Sequence, residues 1–164
     1  MLSGQVIYEE EHDRLEDICD RLVEDALAKA IFIVDKDGQL ITGTGETEGI
    51  DTTSLASLVA GSTAATGGIA DMLGEERFPV HFHEGEETNI HVSVIRDSMI
   101  LVVIFDERSS LGLVRLRVKR AYKEMEDVMD SLDEKRESDD NEGPDLFGDI
   151  SDDDIDDLVN DTFG

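Results

Sequence analysis

No charged side chain occurs between Asp51 and Asp71, and an uncharged stretch of that length needs a surface to cover it. Asp51 to Gly74 reads as one helix between a polar cap and a glycine stop. At about 100° per residue, Leu55, Leu58, Val59, Ile69 and Leu73 fall on one side, with Ser62 and Thr66 between them, as the expected core stripe. Ser57, Ala60, Gly61, Ala64, Gly67 and Gly68 fall on the other side, where a solvated helix carries Lys, Glu, Gln or Arg. Each helical glycine costs about 0.5–1 kcal/mol relative to alanine, so the three together weaken the helix by about 2–3 kcal/mol. Two readings follow. The helix is loosely buried against its own chain, or its bald face lets another backbone come close, as a dimer seam or a docking platform.

A chain of 164 residues, 39% hydrophobic, can bury one core. Cys19 is the single cysteine, which leaves no disulfide framework. The N-terminus lacks a basic region followed by an apolar run, and no apolar stretch approaches the length of about 20 residues that a membrane span needs. The expectation is a cytoplasmic protein with no membrane insertion. A formal net charge of -27 argues against nucleic acid and anionic lipid as partners. From Glu124 onward the chain carries -16 of that total, eighteen acidic residues against Lys135 and Arg136. Three parts are expected: a folded domain over 1–136, a flexible acidic linker over 137–149 containing Gly143-Pro144, and an interaction helix over 150–164.

Tyr8 to Ala28 keeps helical spacing through Leu15, Ile18, Leu22 and Ala26. Ala30 to Asp35 reads as a buried strand, Lys36-Asp37-Gly38 as hairpin turn chemistry, and Gln39 to Thr44 as the returning strand. After the uncharged helix come strands Val80 to Glu84, Thr88 to Arg96 and Met99 to Asp106, then a helix capped at Ser109 or Ser110 and reaching about Lys135. The order is helix, two strands, helix, three strands, helix. It predicts an α+β sandwich around a five-stranded antiparallel sheet.

That order, together with Asp51-Thr52-Thr53-Ser54-Leu55-Ala56-Ser57-Leu58, Phe82-His83-Glu84-Gly85, Leu101 to Asp106, Ser110 to Arg117 and Ile150 to Asp156, resembles the roadblock/dynein light chain family in its bacterial branch. The resemblance covers essentially the whole chain apart from the linker. It implies a homodimer in which sheets join across the two-fold and the central helices lie side by side as a platform for a small Ras-like GTPase of the MglA type. Such regulators act in cell polarity and motility, in the cytoplasm or at a cell pole, with two chains to one GTPase. Ala64 and Gly68 match the middle of the platform, which would comprise Ala60, Gly61, Ala64, Gly67 and Gly68, with Arg14 and Arg120 contributing. The resemblance implies acceleration of GTP hydrolysis without an arginine finger, by holding the GTPase's own residues in place. The chain would have no catalytic residue and no cofactor. The alternative is a non-catalytic scaffold of the same fold that only localises a GTPase.

Other chemistry finds little support in the residues. Gly43 to Gly49 lacks the spacing of a dinucleotide loop, and no Gly-Lys-Ser/Thr occurs. Cys19 lies on the apolar side of its helix, where it reads as core, and Asp35-Lys36-Asp37-Gly38 lacks the later ligands of a calcium loop. His81 and His83 alternate on one strand face. If His91 lies across the hairpin from them, three imidazoles could hold zinc, although solvated or dimer-edge histidines are the reading adopted. Arg115, Arg117, Lys119, Arg120 and Lys123 form the one basic cluster, which either balances the chain's own acids or contacts acids on a partner.

The last segment has helix-start chemistry of its own. Ser151 suits an N-cap, Asp152 to Asp154 suit the positive end of the dipole, and Ile150 with Ile155 suits a hydrophobic staple. Ile155, Leu158, Val159 and Phe163 would line one face. A helix this short is not stable alone in water, so a docking surface is expected. As the resemblance implies, that surface is an apolar groove on the GTPase, where the segment would promote release of GDP.

Overall fold

Every residue of strand β1 (Ala30–Asp35) is buried, as expected of a β-branched run that must sit inside a sheet covered on both faces. The computed structural model describes residues 7–142. Around β1 lie helix α1 (Glu9–Asp25), strand β2 (Leu40–Gly45), helix α2 (Thr52–Met72), strands β3 (Val80–Glu84), β4 (Asn89–Ile95) and β5 (Met99–Phe105), and helix α3 (Leu111–Glu142). The strands form one sheet in the order β2-β1-β5-β4-β3, antiparallel throughout. The expected α+β architecture is therefore present. Two units are distinguished, one ending at Leu132 and the other beginning at Asp133, and the layers belong to the first.

The β1–β5 register sorts the two faces. Ile31 opposite Val103 and Ile33 opposite Leu101 join Leu15, Ile18, Leu22, Val118, Met125 and Leu132 in the core beneath α1 and α3. Phe32 opposite Val102 and Val34 opposite Ile100 join Ala56, Val59 and Ala60 in the core beneath α2. Gly43, paired with Phe32, makes room for that ring: a Cβ there would lie 2.7 Å from Phe32 Cδ1. The β1–β2 turn is tied by Asp35, whose Oδ1 accepts from the amides of Asp37 at 2.8 Å and Gln39 at 3.1 Å. Ser110 caps α3, its hydroxyl oxygen accepting from the amide of Leu113 at 3.2 Å, while the Ser109 hydroxyl donates to the Ala26 carbonyl.

Three expectations are corrected. The buried side of α2 is Ala56, Val59, Ala60 and Ala70, whereas Leu58, Ile69 and Leu73 are exposed. Small residues let the helix approach a sheet whose surface is already filled by Phe32 and branched side chains. His91 pairs with Phe82, so it lies on the face opposite His81 and His83, because directly opposed residues of an antiparallel pair share a face. The three imidazoles do not converge. Helix α3 continues to Glu142, beyond the expected Lys135 and through residues assigned to the linker. No glycine or proline interrupts the sequence between Leu113 and Gly143. Within the second unit, Arg136 Nη1 lies 3.7 Å from Asp133 one turn earlier. The rest of the expected linker and the C-terminal helix, with Ile150, Ile155, Leu158, Val159 and Phe163, lie outside the described residues.

Candidate partner-binding site

Helix α2 begins on Asp51, whose carboxylate accepts from the Ser54 amide at 3.1 Å and the Ser54 hydroxyl at 2.7 Å. Those hydrogen bonds hold the Asp51 carboxyl below the usual carboxylate range. From this fixed start the helix presents Gly61, Ala64 and Gly68 to solvent, with Gly67 half-buried beside them and Ala60 turned into the core. A Cβ built on Gly61, Gly67 or Gly68 meets nothing within 4 Å. The chain's own packing therefore does not require these glycines. The reading in which they let α2 nest against its own fold has no contact to support it.

Ala64, Gly67 and Gly68 border a cleft of about 520 Å³ between α2 and the sheet. Its far wall is Phe78, Arg77 and the β4–β5 turn, where Arg77 is ion-paired to Asp97, a contact that pushes the Arg77 pKa up. Lys36 from the β1–β2 turn closes one end. None of these four residues was expected at the site, since they come from three separate loops and carry no motif. Flanking the bald strip is an apolar one: Leu58 is 72% exposed, Ile69 53%, Met72 86% and Leu73 67%. The helix thus buries Ala56, Val59, Ala60 and Ala70 while showing both its glycines Gly61 and Gly68 and its large apolar side chains to water, and an exposed apolar strip of this kind is characteristic of surfaces that meet another protein.

Arg14 and Arg120 are not part of this strip. Arg14 lies on α1, donating to Ser131 Oγ of α3 at 3.0 Å, and Arg120 lies on α3, so both are on the opposite side of the sheet. Within the chain the structure brings together the small residues of α2 and keeps the two arginines apart from them. His81, half-buried, has its Nε2 3.2 Å from the Phe78 carbonyl, and its pKa is lowered mainly by burial. His91 is 2% exposed, with Ser93 Oγ at 3.5 Å from Nδ1. Burial and the Arg115 charge push its pKa down. Cys19 is fully buried, and burial, aided by Asp20 and Glu16, raises its thiol to about 12, which leaves no thiolate at neutral pH. Among the described residues, the histidine and carboxylates that come together are His12, Asp13 and Glu16 on α1, where His12 Nε2 is already engaged with the Ile41 carbonyl at 3.0 Å.

Comparisons with known proteins bear on the family and fold of the chain. A sequence profile described as the Roadblock/LC7 domain matches residues 14–105. Among solved structures, Myxococcus xanthus MglB is 53% identical, the match covering 77% of this chain and 96% of that one with a TM-score of 0.74. The gliding protein MglB of Thermus thermophilus is 28% identical over 80% of this chain and 99% of that one, TM-score 0.74. An MglB in a tetrameric arrangement is 27% identical over 80% and 99%, TM-score 0.75. No curated protein sequence matches. With a matching profile over residues 14–105 and 53% identity to a solved relative, the chain belongs to the Roadblock/LC7 domain family.

Proposed function

We propose that this chain is a homodimeric regulator of a small Ras-like GTPase of the MglA type, and that it accelerates GTP hydrolysis by holding the GTPase in a conformation where its own residues orient the attacking water. The chain supplies no catalytic group. The observation that carries this reading is the α2 face: Gly61, Ala64 and Gly68 are exposed, and a side chain on either glycine would point into open space. Glycines that weaken a helix without serving its own packing are accounted for by a partner backbone at close range. Likeness to MglB at 53% identity supports the choice of partner. The exposed Leu58, Ile69, Met72 and Leu73, with the open edge of β3, supply the material of a dimer seam, and two chains would serve one GTPase. The acidic C-terminal segment, with Ile155, Leu158, Val159 and Phe163, would dock separately on the GTPase and promote GDP release.

The deciding measurement is GTP turnover by a purified MglA-type GTPase with and without the chain. Stimulated turnover is expected, and it should vanish for Gly68→Arg or Ala64→Arg while the circular dichroism spectrum stays unchanged. Binding without any change in turnover would reduce the protein to a scaffold. Ile155→Asp should leave turnover stimulation partly intact and remove any acceleration in the release of a fluorescent GDP analogue. Equal release rates with wild-type and variant would refute the exchange role.

A further inference from the structure

On the side of the sheet away from α2, an open groove of about 850 Å³ runs between α3 and the β3–β4 hairpin. Arg115, Lys119, Arg120 and Lys123 line its α3 side, all exposed. None of the four forms an ion pair among the described residues, in contrast to Arg21, Arg96 and Arg108, which are held by Glu124, by Asp130 and Glu126, and by Asp106 and Glu46. The one acid lining the groove, Glu126, is the residue that already pairs with Arg96, at 3.5 Å. Apart from His91, Ser93 and Tyr122, the other lining is apolar. Val118 is buried, while Val80 is 46% exposed and Leu116 62%.

Four such cations in a chain of net charge -27 identify the chemistry of the occupant. Arg115, Lys119 and Lys123 recur every four residues along one stripe of α3, about 6 Å apart. A second helix repeats its side chains with the same rise, so carboxylates at i, i+4 and i+8 would meet the three cations in register. The apolar wall selects against a nucleic-acid backbone, which would leave Val80 and Leu116 uncovered and would be repelled by the remainder of the protein. We propose that this groove is a protein-docking site, separate from the α2 face, that takes an acidic amphipathic helix of a partner protein: its carboxylates lie along Arg115, Lys119 and Lys123, and its apolar residues lie on Leu116 and Val80. Arg120 stands beside the stripe and adds to the attraction without fixing the register.

The test uses the full chain and a fluorescein-labelled synthetic helix of about 16 residues, four turns long, with glutamates at i, i+4 and i+8 and leucines on the adjoining face. Fluorescence anisotropy should report saturable binding that weakens as salt rises from ~50 to ~500 mM. Arg115→Glu combined with Lys119→Glu should weaken it by about tenfold or more, because rim charges become repulsive. Leu116→Ser should weaken it with the salt dependence retained, and a peptide with lysine in place of glutamate should not bind. All altered positions are exposed, and thermal melting of each variant checks the fold. Equal affinity for the double variant and the wild type would overturn the proposal, as would the absence of binding at low salt. Two further results would also overturn it by naming another occupant. One is a fall in sedimentation coefficient on charge reversal, pointing to a second copy. The other is carbodiimide cross-linking of Lys119 to the chain's own residues beyond Glu142 despite saturating peptide.

Discussion

At the scale of single residues, the glycines divide into those the fold needs and those it does not. Gly43 is needed, since a Cβ would collide with Phe32 at 2.7 Å, and Gly43→Ala should lower unfolding free energy by about 1–3 kcal/mol. At Gly61, Gly67 and Gly68 an added methyl group would have no neighbour within 4 Å, so alanine at each should raise stability by about 0.5–1 kcal/mol through helix propensity alone. Urea denaturation of the set checks both signs, and a loss of stability at Gly61 or Gly68 would return those glycines to the protein's own packing. His91 gives a second residue-scale expectation. Burial first, and the nearby Arg115 charge second, push its pKa below the ordinary 6.5. Above 6.5 both folded and unfolded chains hold a neutral imidazole, and stability is complete. As pH falls below that value the unfolded chain takes up the proton more readily, so stability declines until the folded-state value is passed. His81 is shifted in the same direction by burial and contributes likewise. His91→Gln, which cannot titrate, should flatten part of the decline between pH ~7 and ~5 in denaturation curves. An unchanged slope would mean that the ring is solvated when folded.

At the scale of elements, α2 carries the main expectation and the main lesson. If its exposed apolar strip is a dimer seam, Ile69→Asp or Leu58→Asp should convert dimer to monomer in sedimentation without unfolding the chain, because the wild-type side chains are already 53% and 72% exposed. Element order and type were legible because Ala30 to Val34 and Met99 to Phe105 are too apolar and branched to be anything but central strands, and because Leu15, Ile18, Leu22 and Ala26 repeat with helical spacing. What could not be read was which flank of α2 meets the sheet. A helical wheel ranks faces by apolar size, whereas burial in the first half of α2 follows steric fit to Phe32, and that selected Ala56 and Ala60 over Leu58. The parity of β4 against β3 was equally hidden: a one-residue change of register moves His91 across the sheet, and only the pairing with Phe82 settles it. The small residues of the site were readable because a missing charge is visible in sequence. Lys36, Arg77, Phe78 and Asp97 were not, because loops bring them together across the fold.

At the scale of the whole molecule, the protein divides its labour between the two sides of one sheet. One side carries α1 and α3 over a large core and keeps the basic stripe of α3. The other carries α2 alone, held by the smaller cluster around Phe32, Ala56, Val59 and Ala60, with a cleft of about 520 Å³ under its second half. The helix that carries the proposed docking face is thus fastened by few buried side chains, Ala56, Val59, Ala60 and Ala70. Local opening is cheapest where buried apolar contacts are few, and Gly61, Gly67 and Gly68 lower the resistance further. In deuterium exchange the amides of residues 61–72 should therefore be replaced well before those of α1 and β5, through an opening that leaves the other layers intact. A partner seated on α2 should slow that exchange, since it binds the closed helix and withdraws it from the open population. Part of the binding free energy is then absorbed in ordering α2, so affinity for the partner can be tuned by substitutions that touch only the helix's own stability and never the partner itself.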